Sequence, residues 1–217
     1  METMKAAVLE GLGNMSIAEV SVPDVKEGSL LIKVLACAVC GSDTRIFDSG
    51  NKRVKYPAII GHEIAGEIVE VGKNVDSFKI GQRVAVGADV PCGKCSWCQN
   101  GHGNCCDKNY AIGYQFQGGF AEYCLLESMV VKYGPVSQIP SDLNHEYAAL
   151  AEPLACCING CEKVFFTSGK TVLVIGSGPV GILLVKLAKV KGASLTMLHD
   201  TDRDRLEMAS IAKADYL

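Results

Sequence analysis

Residues 171–200 read TVLVIGSGPVGILLVKLAKVKGASLTMLHD, and the order of their apolar runs decides the fold. TVLVI has the composition of a buried strand. A glycine turn follows, then apolar residues at helical spacing, then a second strand-like run ending at Asp200. That is the order of a βαβ unit. The turn itself is Gly176-Ser177-Gly178-Pro179-Val180-Gly181. Taken alone, G-x-G-x-x-G also occurs as a plain glycine turn in other α/β domains. Set between a strand and a helix, with an acid about 20 residues further on, it matches the dinucleotide fingerprint. In that arrangement Gly176 permits the tight turn and Gly178 lets the backbone approach a pyrophosphate. Gly181 brings helix against strand. The helix that opens with Pro179 and Val180 then presents free N–H groups to the phosphates. Asp200 is expected to accept hydrogen bonds from a ribose hydroxyl and to repel a 2′-phosphate, which favours NAD over NADP. Asp202 is close enough to compete for that role.

Working outward, the rest of the chain has the composition of a globular protein. Of its 217 residues, 48% are hydrophobic and 21% charged, enough to bury a sizeable core. A net charge of −3 gives no basic face for nucleic acid. The start, METMKAAVLEGLGN, lacks the basic and apolar regions of a signal peptide. The most apolar run, Thr171 to Val185, is too short for a bilayer and contains three glycines. A cytoplasmic protein is expected, with neither membrane nor nucleic acid as partner. In that compartment clustered cysteines more often bind metal than form disulfides.

Five of the eleven cysteines fall in PCGKCSWCQNGHGNCC, residues 91–106. Cys92, Cys95 and Cys98 are three apart, and Cys106 follows. Four thiolates on one glycine-bearing loop can close a tetrahedron around Zn²⁺ with no position left for water. The adjacent Cys105 could stand in for Cys106. A closed site of this kind stabilises a loop and leaves catalysis to other residues.

Short apolar stretches dominate up to about Gly134: MKAAVLE, SLLIKVLACAVC, IAGEIVEVG, QRVAVGA and FAEYCLLE. They predict an antiparallel, barrel-like β region. From Pro140 the texture is helical, and Ser141 or Asp142 could cap the run SDLNHEYAALAEPLACCINGCEKV. The expected division is residues 1–150 and 151–217. A second candidate metal site lies in the β region. Cys40-Gly41-Ser42-Asp43 ends one strand, and Gly61-His62-Glu63 begins another. A thiol, an imidazole and carboxylates can hold zinc with an open position. Glu152, in AEPLAC, is a further carboxylate in an apolar setting. Singly, each of these residues has an ordinary structural explanation.

Together they resemble a family. GHEIAGEIVEVGKNV is similar to the signature of the zinc-containing alcohol dehydrogenases, with Gly61, His62, Glu63, Gly66, Gly72 and Val75 in place. CGSD, the four-cysteine stretch, AEPLA and GSGPVG follow in that family's order. The resemblance, to the medium-chain dehydrogenase/reductase superfamily, implies a GroES-like β-barrel catalytic domain followed by a partial Rossmann domain, with the active site between them. It implies two zinc ions per chain, one catalytic and one structural, and NAD as cofactor. Cys40 and His62 would be catalytic zinc ligands and Glu63 a ligand or near-ligand. Asp43 would orient His62. Glu152 stands where many alcohol dehydrogenases have cysteine. Glutamate there is similar to the sorbitol (L-iditol) and threonine dehydrogenase groups, where it sits in the zinc site directly or through water.

The implied reaction is hydride transfer from a secondary alcohol to NAD, with Ser42 passing the hydroxyl proton onward. Where many relatives next use a histidine, this chain has Arg45, which cannot accept a proton. The resemblance also implies a homo-oligomer, dimer or tetramer. Because the chain ends after about one βαβ unit, whereas a dinucleotide fold has two such halves, it implies a C-terminally truncated member. A catalytically silent zinc-binding fragment, or a threonine dehydrogenase, is the alternative expectation.

Overall fold

The computed structural model describes residues 2–217, which divide into two compact units, the first ending at Glu152 and the second Pro153–Leu217. The first unit opens with a hairpin of β1 (Thr3–Gly11) and β2 (Asn14–Ser21). Then come β3 (Leu30–Ala38), α1 (Gly41–Ser49), β4 (Glu63–Val71) and β5 (Arg83–Val86). A small lobe holds β6 (Asp89–Val90), α2 (Ser96–Gln99) and β7 (Tyr110–Ala111). The unit continues with β8 (Tyr123–Leu126), α3 (Ser128–Tyr133), β9 (Val136–Gln138) and α4 (His145–Ala148).

Its central sheet is antiparallel, in the order β8-β3-β4-β5-β9. The period-2 pattern of β1, with Met4, Ala6 and Val8 inward and Thr3 and Lys5 outward, is that of a strand covered on one face. In β4 the residues Glu63 to Gly66 and Ile68 are buried, because this part of the strand is central in the sheet, whereas Glu70 near its end is exposed. Leu30, Ile32, Ile64, Ile68, Val84 and Leu126 form the core between them. Each such side chain contributes about 1.5–3 kcal/mol on burial.

The helical run after Pro140 differs from expectation. It is two helices, α4 and then α5 (Ala151–Lys163), and the residue in the capping position is Asn144, not Ser141 or Asp142. Pro153 explains the break. Proline has no N–H to bond back to the preceding turn, so it is tolerated in the first turn of a helix and not in the middle of a longer one.

In the second unit, β10 (Thr171–Ile175) and β11 (Leu195–His199) are parallel and are joined by α6 (Pro179–Val190). A last short helix, α7 (Arg203–Met208), follows. Val174, Val185, Leu198, Ala209 and Ala212 are the core of this βαβ unit. A Cβ on Gly181 would lie 1.9 Å from the carbonyl oxygen of Gly176, so no other residue fits where α6 starts against the turn. Among the described residues no helix is long and apolar enough to cross a membrane.

Candidate functional site

The first cluster is built by strand register. β3 and β4 pair Ala38 with Glu63, so the residues just beyond one strand end meet those just before the other. Cys40 sits at the N-cap of α1 and His62 immediately precedes β4. The turn into His62 needs glycine. Gly61 has φ +92, and a Cβ there would lie 2.6 Å from the Phe120 ring. A ligand atom from each of Cys40, His62 and Glu63 lies within 4.8 Å of the others. His62 and Glu63 are buried and Cys40 is partly so.

Asp43, also buried, holds two of these groups in place. Its Oδ2 accepts the Cys40 N–H at 2.9 Å. Its Oδ1 faces His62 Nδ1 at 3.5 Å, an ion-pair distance that is long for a good hydrogen bond. Burial alone would lower the His62 pKa, but the Asp43 carboxylate and the Cys40 sulfur outweigh it and raise it to about 9. The surroundings of this ring therefore favour a positive charge. Glu63 is shifted up, by burial first, with His62 and Cys40 pulling the other way. Ser42 Oγ, Asp43 Oδ1 and His62 Nδ1 are all buried without a hydrogen-bond partner. Orphaned polar atoms of this kind are costly unless something compensates them. A thiolate, an imidazole and a carboxylate converging at this charge-hungry spot fit a divalent ion of zinc type with room for a further ligand.

Glu152 stands outside that group of three. It lies in the first turn of α5, partly buried, beside Gly87, where a Cβ would meet its Cγ at 3.7 Å. Arg45 is exposed on α1. Tyr114, which the sequence did not single out, borders the cluster with its ring centroid 6.2 Å from that of His62.

The lobe brings together Cys92, Cys95, Cys98 and Cys106. The sulfur separations are 3.9 Å for Cys92–Cys98, 3.4 Å for Cys95–Cys98 and 4.0 Å for Cys95–Cys106. A Zn–S bond of about 2.3 Å implies tetrahedron edges of about 3.8 Å, so these spacings fit a closed four-sulfur site. Cys106 is buried while its neighbour Cys105 is exposed, which settles the choice between them. Burial opposes ionisation of Cys106, but the N–H groups of Cys92, Asn109 and Lys108 outweigh it and bring the pKa down to about 6. The Cys92 N–H lies 3.2 Å from its sulfur. Cys106 is thus prepared to be a thiolate, while burial and the neighbouring cysteines push the Cys98 thiol up to about 12.

In the second unit, Gly178 is the N-cap of α6 and a Cβ there would meet nothing within 4 Å, so the backbone is open to close approach. Asp200, at the end of β11, is tied to the turn. Its Oδ2 accepts from Ser177 N at 2.7 Å and from Ser177 Oγ at 2.8 Å, and its Oδ1 accepts from Asp202 N at 3.0 Å. The N–H groups of Asp202 and Ser177 hold this carboxyl below the usual range. Asp202 has a different task. It caps α7, accepting from Arg205 N at 3.1 Å. Ser177 is the residue the sequence reading passed over. It occupies an "x" of the motif, and its role depends on a partner 23 residues away.

The chain matches the family model of the alcohol dehydrogenase GroES-like domain over residues 26–135. It is similar to the sorbitol dehydrogenase of Bacillus subtilis (strain 168), with 37% identity over 220 residues, covering 100% of this chain and 61% of that protein. It is likewise 37% identical over 206 residues to the L-threonine 3-dehydrogenase of Pyrococcus horikoshii, covering 93% of this chain and 57% of that protein. Among solved structures, a Sinorhizobium meliloti 1021 protein of the zinc-binding dehydrogenase kind, bound to NADP, superposes with a TM-score of 0.90 at 35% identity. The match covers 100% of this chain and 61% of that one. The chain therefore spans about three fifths of the length of these relatives.

Proposed function

The chain belongs to the alcohol dehydrogenase family with a GroES-like domain, and on that premise we propose that the whole protein is a zinc-dependent oxidoreductase. It moves a hydride from a secondary alcohol, a polyol of the sorbitol or L-iditol type, to NAD. The observation that carries this reading is the convergence of ligand atoms of Cys40, His62 and Glu63 within 4.8 Å of one another. In this reading two zinc ions bind each chain, a catalytic one at Cys40, His62 and Glu63 and a structural one at Cys92, Cys95, Cys98 and Cys106. When bound, the catalytic zinc supplies Lewis-acid activation of the substrate hydroxyl and the nicotinamide accepts the hydride.

The chain's own residues do the rest. Asp43 fixes the His62 ring through Nδ1, leaving the other nitrogen for the metal, as zinc-bound histidines require. Ser42 Oγ takes the substrate's hydroxyl proton. Exposed Arg45 cannot accept it next. Glu152 would help hold the metal, directly or through water, and a hard carboxylate in that role would suit an oxygen-rich substrate. Glu152→Gln in the whole protein is expected to keep the fold and lobe zinc while losing most of its turnover. Steady-state kinetics with a zinc count test this, and near-normal turnover with both metals retained would reduce Glu152 to an ordinary helix carboxylate.

Asp200 selects NAD in this reading. It holds the glycine turn through Ser177 and keeps negative charge where a 2′-phosphate would sit. Asp200→Ala should weaken NAD binding by about tenfold or more, the scale of a hydrogen bond to a charged group, and relax discrimination against NADP. Fluorescence titration of both nucleotides measures this, and an unchanged preference would remove Asp200 from the role. A threonine-type amino alcohol is the second substrate reading, favoured by the Pyrococcus relative, and a panel of polyols and amino alcohols separates the two.

A further inference from the structure

A cavity of about 300 Å³ in the first unit is not used in the reading above. Its lining includes Arg53, Lys55, Tyr114 and Gln115. Two of its lining residues are cations and none is a carboxylate, in a chain of net charge −3. Neither cation is in an ion pair among the described residues.

Arg53 is held firmly. Its guanidinium carbon lies 4.7 Å from the Tyr114 ring centroid, a cation–π distance. Its Nη2 donates to the Asn109 carbonyl and, at 3.3 Å, to Gln115 Oε1. The same Gln115 oxygen accepts the Ala111 N–H at 3.0 Å, so its amide nitrogen is left as a donor. Arg53 Nε is buried without a partner, and among the described residues the hydrogen bonds of the guanidinium are made by Nη2. The positive charge is thus fixed in position with no carboxylate beside it, which leaves it able to pair with an anion. Tyr114 connects this cavity to the metal cluster, because the ring beneath Arg53 is also the one that borders His62.

We propose that this cavity is an anion subsite for the substrate, seating the phosphate group of a phosphorylated polyol against Arg53, Lys55 and the Gln115 amide. A phosphate monoester carries nearly two negative charges at neutral pH, which matches two cations better than a carboxylate does. The planar guanidinium suits phosphate oxygens, and lysine adds a mobile point charge. The inference deepens the dehydrogenase reading and rests on it.

Calorimetric titration of the zinc-loaded chain at low salt tests it. The ligands are inorganic phosphate, a polyol phosphate and the same polyol without phosphate. Saturable phosphate binding at one site is expected, weakening as salt is added, with the polyol phosphate tighter than the neutral polyol. Arg53→Met keeps an apolar stem over Tyr114 and removes the charge. It should weaken phosphate binding at least tenfold, about the value of one charge-assisted hydrogen bond. Lys55→Gln, at an exposed position that does not bear on folding, should weaken it in the same direction. The proposal is overturned by an absence of saturable phosphate binding, by equal affinity in both variants and the unaltered chain, or by a polyol phosphate that binds no tighter than the neutral polyol. No turnover is read, so a whole protein without dehydrogenase activity would sink the dehydrogenase reading and leave the binding result intact.

Discussion

Cys95→Ser is expected to remove one zinc per chain and to lower the melting temperature by about 10 °C. Cys95 supplies two of the three short sulfur–sulfur edges in the lobe, at 3.4 and 4.0 Å. A hydroxyl there is a poorer ligand for zinc, and the remaining three thiols would be left as an open, weakly held set. Metal-binding free energy at a closed site is also folding free energy. The lobe is short of alternatives, since α2 has no buried residue and β6 and β7 are two residues each. A loss of about 3 kcal/mol corresponds to that melting shift in a chain of this size. Elemental analysis and calorimetry on the purified variant measure both effects. Full zinc content with an unchanged melting temperature would show that the four thiols are not a zinc site.

Asp43→Asn should weaken metal binding at the Cys40–His62–Glu63 cluster by about 10- to 100-fold, the usual cost of losing the partner that orients a ligating histidine. The lobe zinc should stay. Asparagine has nearly the same shape and can still accept the Cys40 N–H, so the backbone at the start of α1 is preserved. What it loses is the charge facing His62 Nδ1 at 3.5 Å. That charge is also what raises His62 to about 9 against the opposing effect of burial. In the metal-free variant the ring should therefore titrate well below that value, and NMR of the imidazole protons reads the change. An unchanged titration together with unchanged zinc affinity would mean that Asp43 neither orients nor charges the site.

Much of this was legible in the sequence because the signals are local. The βαβ order of residues 171–200 lies in one run, and alternation marks β1 even in isolation. The four lobe cysteines lie within 15 residues of one another, so their spacing alone points to convergence. What was hidden depends on distant partners. Nothing near Cys105 and Cys106 tells which points inward, because the answer is set by contact with Cys92, 14 residues back. The sequence places Cys40-Gly41-Ser42-Asp43 at the end of a strand, whereas β3 ends at Ala38 and α1 starts at Gly41. The helix begins where Cys40 and Asp43 bond to each other, a cap without the usual serine or threonine signal. Asn144 was overlooked as a cap because apolar spacing runs through the break that Pro153 imposes. The fixed position of Arg53 comes from Asn109 and Gln115, 56 and 62 residues away, which nothing in its local sequence indicates.

Leu173 and Ile175 are exposed on β10, which among the described residues pairs only with β11.

The most direct test of the central claim is NADH formation by the whole protein, followed by absorbance with a panel of polyols before and after zinc removal. NAD reduction with at least one secondary polyol, phosphorylated or neutral, is expected. That activity should be lost when chelation empties the Cys40–His62–Glu63 site and restored when zinc is returned. No NADH from any alcohol at full zinc occupancy, or turnover that survives removal of that zinc, would contradict it.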